Sequence, residues 1–113
     1  MTAIVKFVDG PLAGRSLRIK RTPLFLRGTR SRDGKKFDAL DQIGDMLASF
    51  ETAFAYEACK RESVNMFICP GGHVTEIVDY RLCDPQPPQR ALESNLEWRE
   101  WCVAELAKRK VSA

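Results

Sequence analysis

The chain is poor in the residues that most catalytic and metal chemistry requires. It has one histidine, His73, and four cysteines, Cys59, Cys69, Cys83 and Cys102, no two of them spaced Cys-x-x-Cys. Zinc takes four tetrahedral ligands and usually includes a close cysteine pair. Cys69-Pro-Gly-Gly-His73 is the one pair with metal-like spacing. Cys59 and Cys83 are expected near the opposite end of the same hairpin, about 17–20 Å away for strands of ordinary length. No metal and no cofactor are therefore expected. A Cys69–His73 dyad lacks a third orienting group and an oxyanion donor. No catalytic residue is assigned, and the chain is not read as an enzyme. Long apolar runs are missing too: none approaches the ~20 residues that span a bilayer. The start, MTAIVKFV, has one early cation and no cleavage-like site, so no signal peptide is expected. Membrane partners are excluded on this reading and the expected location is cytoplasmic, where the cysteines stay reduced.

Acidic residues are scarce in the first third. Residues 1–36 carry ten Lys or Arg against Asp9 and Asp33 alone, a net +8, whereas residues 37–113 carry −5. Such asymmetry suits either an anionic partner or attraction between two parts of one domain. The densest cations are Arg27, Arg30, Arg32, Lys35 and Lys36, in a polar stretch, GTRSRDGKK, read as an exposed loop over 28–36. Five cations there suit phosphate contacts. Phe25 and Phe37 are the only nearby aromatics for base stacking, and no helix-turn-helix or finger pattern accompanies them.

At 113 residues the chain is long enough for one domain with one core. AIVKFV (3–8) reads as a strand, and RSLRIK (15–20) alternates like a half-buried one. Between them Asp9-Gly10-Pro11-Leu12-Ala13-Gly14 reads as a reversing loop, with Pro11 fixing φ and the glycines free to take φ > 0. A phosphate cradle is excluded there because no Gly-Lys-Ser/Thr ending and no helix follow. Changing Gly10 or Gly14 to Val is expected to cost about 1–2 kcal/mol through φ strain. PLFLR (23–27) reads as a short third strand. From Asp38, a plausible N-cap, Leu40, Ile43, Leu47 and Phe50 recur at helical spacing. Residues 50–60 fit either a continuation of that helix or a strand alternating Thr52, Phe54, Tyr56 and Ala58. We take a helix over 38–49 and a strand over 52–60. Strands over 64–69 and 74–82, with a Pro-Gly-Gly turn, complete a meander.

After Asp84-Pro85-Gln86-Pro87-Pro88, a helix is expected over 89–110. On a continuous helix, Leu96, Val103, Leu106 and Ala107 fall within about 60° of Leu92, which predicts the buried stripe. Trp101 falls near 180° and Trp98 near 240°, among Glu97, Glu105 and Lys108. Two indoles on a polar face suggest a contact surface made of Trp98, Trp101, Glu97 and Glu105. On this reading Leu96→Ala costs about 2–5 kcal/mol, Trp101→Ala costs little stability, and Trp98→Ala lies between.

With these residues in view, "FVDGPLAGR" resembles the F-x-G-G-P-x-D-G-R opening of small uncharacterised proteins of actinobacterial phages. Asp9 stands where that group has Gly, and Ala13 where it has Asp. "VDYRLCDPQPP" resembles the end of that group's later strands. The resemblance implies a phage setting and host cytoplasm, supports a strand over 52–60, and carries over no functional residue. The expected fold is α+β: a small, mainly antiparallel sheet with a helical insertion and a C-terminal helix packed on one face. It forms one domain, with a basic hairpin region and loop (1–37), a helix plus meander (38–83), a Pro-rich connector (84–88) and the helix (89–110). The expected function is that of a non-catalytic phage accessory protein binding a host or phage protein, with homodimerisation through the C-terminal helix as one form. The alternative is polyanion or nucleic-acid binding through Arg27, Arg30, Arg32, Lys35 and Lys36.

Overall fold

A computed structural model describes residues 2–40, 46–47, 51–68 and 72–112, with side chains through Arg109. Six strands form one sheet: β1 (Thr2–Phe7), β2 (Ser16–Ile19), β3 (Phe25–Ser31), β4 (Phe37–Leu40), β5 (Glu51–Ile68) and β6 (Gly72–Leu82). Two helices follow, α1 (Gln89–Glu93) and α2 (Asn95–Ser112). The strand order is β2-β1-β6-β5-β3-β4. β1 runs parallel to β6 and every other pair is antiparallel, so the sheet is mixed.

The sheet curls until its edge strands approach each other. Arg15, just before β2, donates from Nη2 to the Gly34 carbonyl in the β3–β4 turn at 2.7 Å. Alternation puts Val5, Phe7, Leu26, Tyr56, Val78 and Tyr80 on the concave face, where they form the main core. A second cluster lies on the convex face of β3 and β5, under the helices. β3 is therefore covered on both sides, and Phe25 to Thr29 are all buried.

The opening link is a reversal, as expected. It forms one turn of 3-10 helix, Gly10–Leu12, that drops Leu12 into the barrel-like core with no exposed surface. The Tyr56 hydroxyl accepts from the Leu12 amide at 3.0 Å and donates to the Asp9 carbonyl at 3.1 Å. The Leu82 amide donates to the Asp9 carboxylate at 2.5 Å. Gly10 sits at φ 72°, and a Cβ there would lie 2.9 Å from the Tyr56 hydroxyl and 3.1 Å from Leu82. Gly14 also has positive φ (82°) but open space around it. Gly10→Ala is expected to cost about 2–4 kcal/mol, and Gly14→Ala only the φ penalty of about 1–2 kcal/mol. Urea unfolding of both variants checks the difference.

Several expectations change. The helix placed over 38–49 does not begin at Asp38, because Phe37–Leu40 pairs with Arg27–Arg30 as β4. Phe37 and Ala39 turn toward the core, and the Asp38 carboxylate accepts its neighbour's amide (Ala39 N, 2.8 Å) instead of capping a helix. Met46 and Leu47 are not helical, and residues 41–45 and 48–50 lie outside the described residues. The loop read over 28–36 is shorter than expected: β3 takes its first four residues, to Ser31, and 32–36 form a tight turn held by Ser31 and Asp33. The strands placed over 52–60 and 64–69 are one long strand, β5. It absorbs register shifts at Ala58/Lys60 and Ser63/Met66. Cys69 lies outside the described residues.

The single helix over 89–110 is broken. Ser94 is extended (φ −110°, ψ 124°), and its hydroxyl accepts from the Glu97 amide at 3.4 Å. Ser94-Asn95-Leu96-Glu97 has the Ser-x-x-Glu spacing of a capping box, which starts a new helix there.

Candidate interaction surface

The break at Ser94 decides which side of the terminal helix faces the sheet. One non-helical residue shifts the phase of α2 relative to α1. Leu92 and Trp98 are both buried, at 4% exposure each, whereas Leu96 is 67% exposed. Ala53 and Ala55 of β5 present almost no side chain, and Leu92 of α1 and Trp98 of α2 pack into one apolar cluster with them. Trp101 stacks on Trp98 (5.2 Å between centroids, 20°) and meets Phe25 edge-on at 5.1 Å. The indoles are therefore the docking face of α2, not its free face. Glu97 and Glu105 are half-buried flanking residues. Glu97 lies 3.7 Å from Arg90, and Glu105 is 3.5 Å from Lys108. The surface expected from Trp98, Trp101, Glu97 and Glu105 is thus replaced: Trp98 is closed to any partner, and the carboxylates have intramolecular cations.

Two buried ionic groups pin α2 at its ends. Arg27 points from β3 to the α1–α2 junction, fully buried. It donates to Asn95 Oδ1 at 2.9 Å and to the Leu92 carbonyl at 3.4 Å, with its guanidinium 5.3 Å from the Trp98 ring. Arg27 is thus removed from the polyanion set. At the other end Glu57 of β5 accepts a hydrogen bond from Arg109 and lies 3.6 Å from Arg81. Arg109 also sits 5.0 Å over Phe25. A cavity of about 70 Å³ remains here, lined by Phe25, Glu57, Cys83, Trp101, Glu105 and Arg109 among others.

The Arg109 hydrogen bond, helped by the positive field of Arg109 and Arg81, holds the Glu57 carboxyl below its usual range despite burial. Because the folded value lies below the unfolded one, this contribution is complete above the unfolded value. It disappears as pH falls through the folded value. Acidification below about pH 4 is expected to loosen the end of α2 and change tryptophan fluorescence, and Glu57→Gln is expected to flatten that titration. Burial raises the Cys83 thiol to about 12 and the Cys102 thiol to about 11. Peptide mapping after alkylation at neutral pH is expected to find Cys59, which is exposed, labelled ahead of Cys83 and Cys102. Cys83 and Cys102 should label only after unfolding.

The outer side of α2 carries Leu96, Val103 and Leu106, exposed by 67%, 62% and 41%. They recur at helical spacing and form one row, which the exposed Arg99 interrupts between Leu96 and Val103. Periodicity alone reveals this row but assigns it to the core. The Ser-x-x-Glu spacing at 94–97 is the sequence signal that corrects the assignment, because the Ser94 hydroxyl accepts from the Glu97 amide and the helix restarts there with a new phase.

The remaining cations of the basic set separate. Arg32, Lys35 and Lys36 are exposed on the β3–β4 turn, while Arg30 is half-buried over Phe54, 5.9 Å from the ring centroid. Sequence reading missed Arg15, whose guanidinium lies 4.7 Å over Phe37 beside that turn. His73 stacks on Phe67 and contacts Asn65 at 2.5 Å, on the β5–β6 hairpin. Among the described residues no three His, Cys, Asp or Glu side chains gather as a metal site, and no helix is long and apolar enough to cross a membrane. Scans of family models, curated proteins and solved structures for similar chains return no match.

Proposed function

We propose that this chain is a non-catalytic, self-associating protein in which two copies join through the outer face of α2. The row Leu96, Val103 and Leu106 carries the reading. It stands outside both apolar clusters, on a helix fixed to the sheet by other residues. The charge pattern favours a second copy in antiparallel orientation. Glu100 lies in the first half of α2 and Lys108 in the second, on the same flank of the row at about 100° per residue. An antiparallel partner centred near Val103 brings the same flank of the two copies together and sets each Glu100 toward the other copy's Lys108, whereas a parallel partner turns that flank toward the opposite one.

Sedimentation velocity over a concentration series tests this. Wild type should show a concentration-dependent dimer, and Leu96→Glu/Val103→Glu should be monomeric, with a melting temperature equal to that of wild type at concentrations where wild type is also monomeric, since both side chains are exposed. Glu100→Lys should weaken the dimer, and adding Lys108→Glu should restore it. A wild type that stays monomeric, or a dimer indifferent to the glutamates, overturns the proposal.

A further inference from the structure

We infer that the end of the curled sheet where Arg15 meets the β3–β4 turn binds the phosphodiester backbone of nucleic acid. The sequence leaves two explanations for the basic first third, an anionic partner or internal neutralisation. Among the described residues, ion pairs join Glu57, Glu76, Glu97 and Glu105 to Arg61, Arg81, Arg90, Lys108 and Arg109. Both partners of each of these pairs lie in the acidic part of the chain. None of these carboxylates reaches back to neutralise Arg15, Arg30, Arg32, Lys35 or Lys36. The carboxylate of Asp33, in the same turn, accepts from the Ser31 hydroxyl and the Lys35 amide, which with the field of Lys36 hold its pKa low; its one negative charge offsets only part of the five cations.

Sheet closure gathers cations that are distant in sequence. Arg15 and the turn are tied by the Arg15–Gly34 hydrogen bond. Pairing of β3 with β4 sets Arg30 opposite Phe37, the ring beneath Arg15. Both guanidiniums lie over aromatic rings, which hold their planes and spare part of the ordering cost of binding. Arg15 Nη1 is buried and has no hydrogen-bond partner among the described residues. An N–H without an acceptor is costly unless something supplies one, and a phosphate oxygen is an acceptor matched to a guanidinium fork. A groove of about 400 Å³ runs beside it, lined by Lys6, Val8, Gly14, Arg15 and Ser16. Arg32, Lys35 and Lys36 extend the positive surface. Phe37 and Phe54 are capped by the arginines, leaving little open ring for base stacking, so the surface reads backbone charge and not sequence.

Fluorescence anisotropy with labelled mixed-sequence single-stranded DNA, single-stranded RNA and duplex DNA, at two or more salt concentrations, tests the site. At low salt at least one of these probes should bind. Lys35→Gln/Lys36→Gln, which changes only exposed side chains, should weaken binding by about tenfold and lower the salt slope by about 0.7–0.9 for each phosphate no longer neutralised. Arg15→Gln/Arg30→Gln should weaken it at least as much. Lys20→Gln/Arg21→Gln, beyond the far end of β2, should leave it within about twofold. The three probes distinguish the nucleic acid preferred. Absence of binding to all three overturns the inference. So does binding unaffected by Lys35→Gln/Lys36→Gln, or a poly-glutamate chain competing as well as DNA of equal charge.

Discussion

Trp98→Ala is expected to destabilise the domain by about 3–5 kcal/mol, and Leu96→Ala to change its stability by less than about 0.5 kcal/mol. Trp98 is buried against Ala53, Ala55 and Leu92, with Trp101 stacked on it and Arg27 beside its ring. Truncation opens a cavity between helix and sheet that rigid strands cannot close. It also removes the surface against which Arg27 and Trp101 are packed. Leu96 is 67% exposed, and its methyl groups contribute little to folding of the single chain. Trp101→Ala should cost about 2–3 kcal/mol, since the ring is half-buried but bridges Phe25 and Trp98. This ordering inverts the one expected from an unbroken helix over 89–110. Urea unfolding at low protein concentration, where self-association adds nothing, measures it. A Leu96→Ala variant as unstable as Trp98→Ala would return the leucine row to the core and remove the proposed dimer surface.

Arg27→Ala is the second large effect, about 3 kcal/mol or more. Hydrogen bonds from a charged donor contribute about 1.5–3 kcal/mol, and the long side chain also fills space beneath the α1–α2 junction. Its loss leaves Asn95 Oδ1 without that donor and opens a gap beside Trp98. Lysine should not rescue it, because a single ammonium cannot span both acceptors in a planar fork or stack on the indole equally well. Arg32→Ala, Lys35→Ala and Lys36→Ala should each stay within about 0.5 kcal/mol, their side chains being exposed. Thermal unfolding of the five variants side by side, Arg27→Lys included, gives the answer. A near-neutral Arg27→Ala would mean that the junction is held by the apolar contacts alone. Neutralising all five members of the basic set together is therefore a poor probe of anion binding, because the loss of Arg27 would destabilise the protein at the same time. The exposed subset must be used.

Much of the sheet is legible in order along the chain. AIVKFV, SLRI and VTEIVDYRL alternate or are β-branched, and the Gly10–Gly14 link carries the residues a reversal needs. Those signals are local, and local sterics enforce them. Charge asymmetry and the shortage of histidine are equally readable. The sequence also determined an apolar row on the terminal helix and a Ser-x-x-Glu start to α2. Three things required the tertiary structure. Phe37–Leu40 carries both a cap residue and an alternating pair, and pairing with β3 selects the strand; propensity alone is too weak to choose. Arg27 lies in the same run of cations as Lys35, yet β3 is sandwiched between the concave core and the helices, so one is core and the other surface. Finally, helical spacing defines an apolar stripe but not which side meets the sheet. A single extended residue, Ser94, together with the alanine floor of β5 and the anchors Arg27 and Glu57, turned the tryptophans inward. That left Leu96, Val103 and Leu106 outside, because burial is a contest between faces for one site on the sheet, and the indoles remove more apolar area from water.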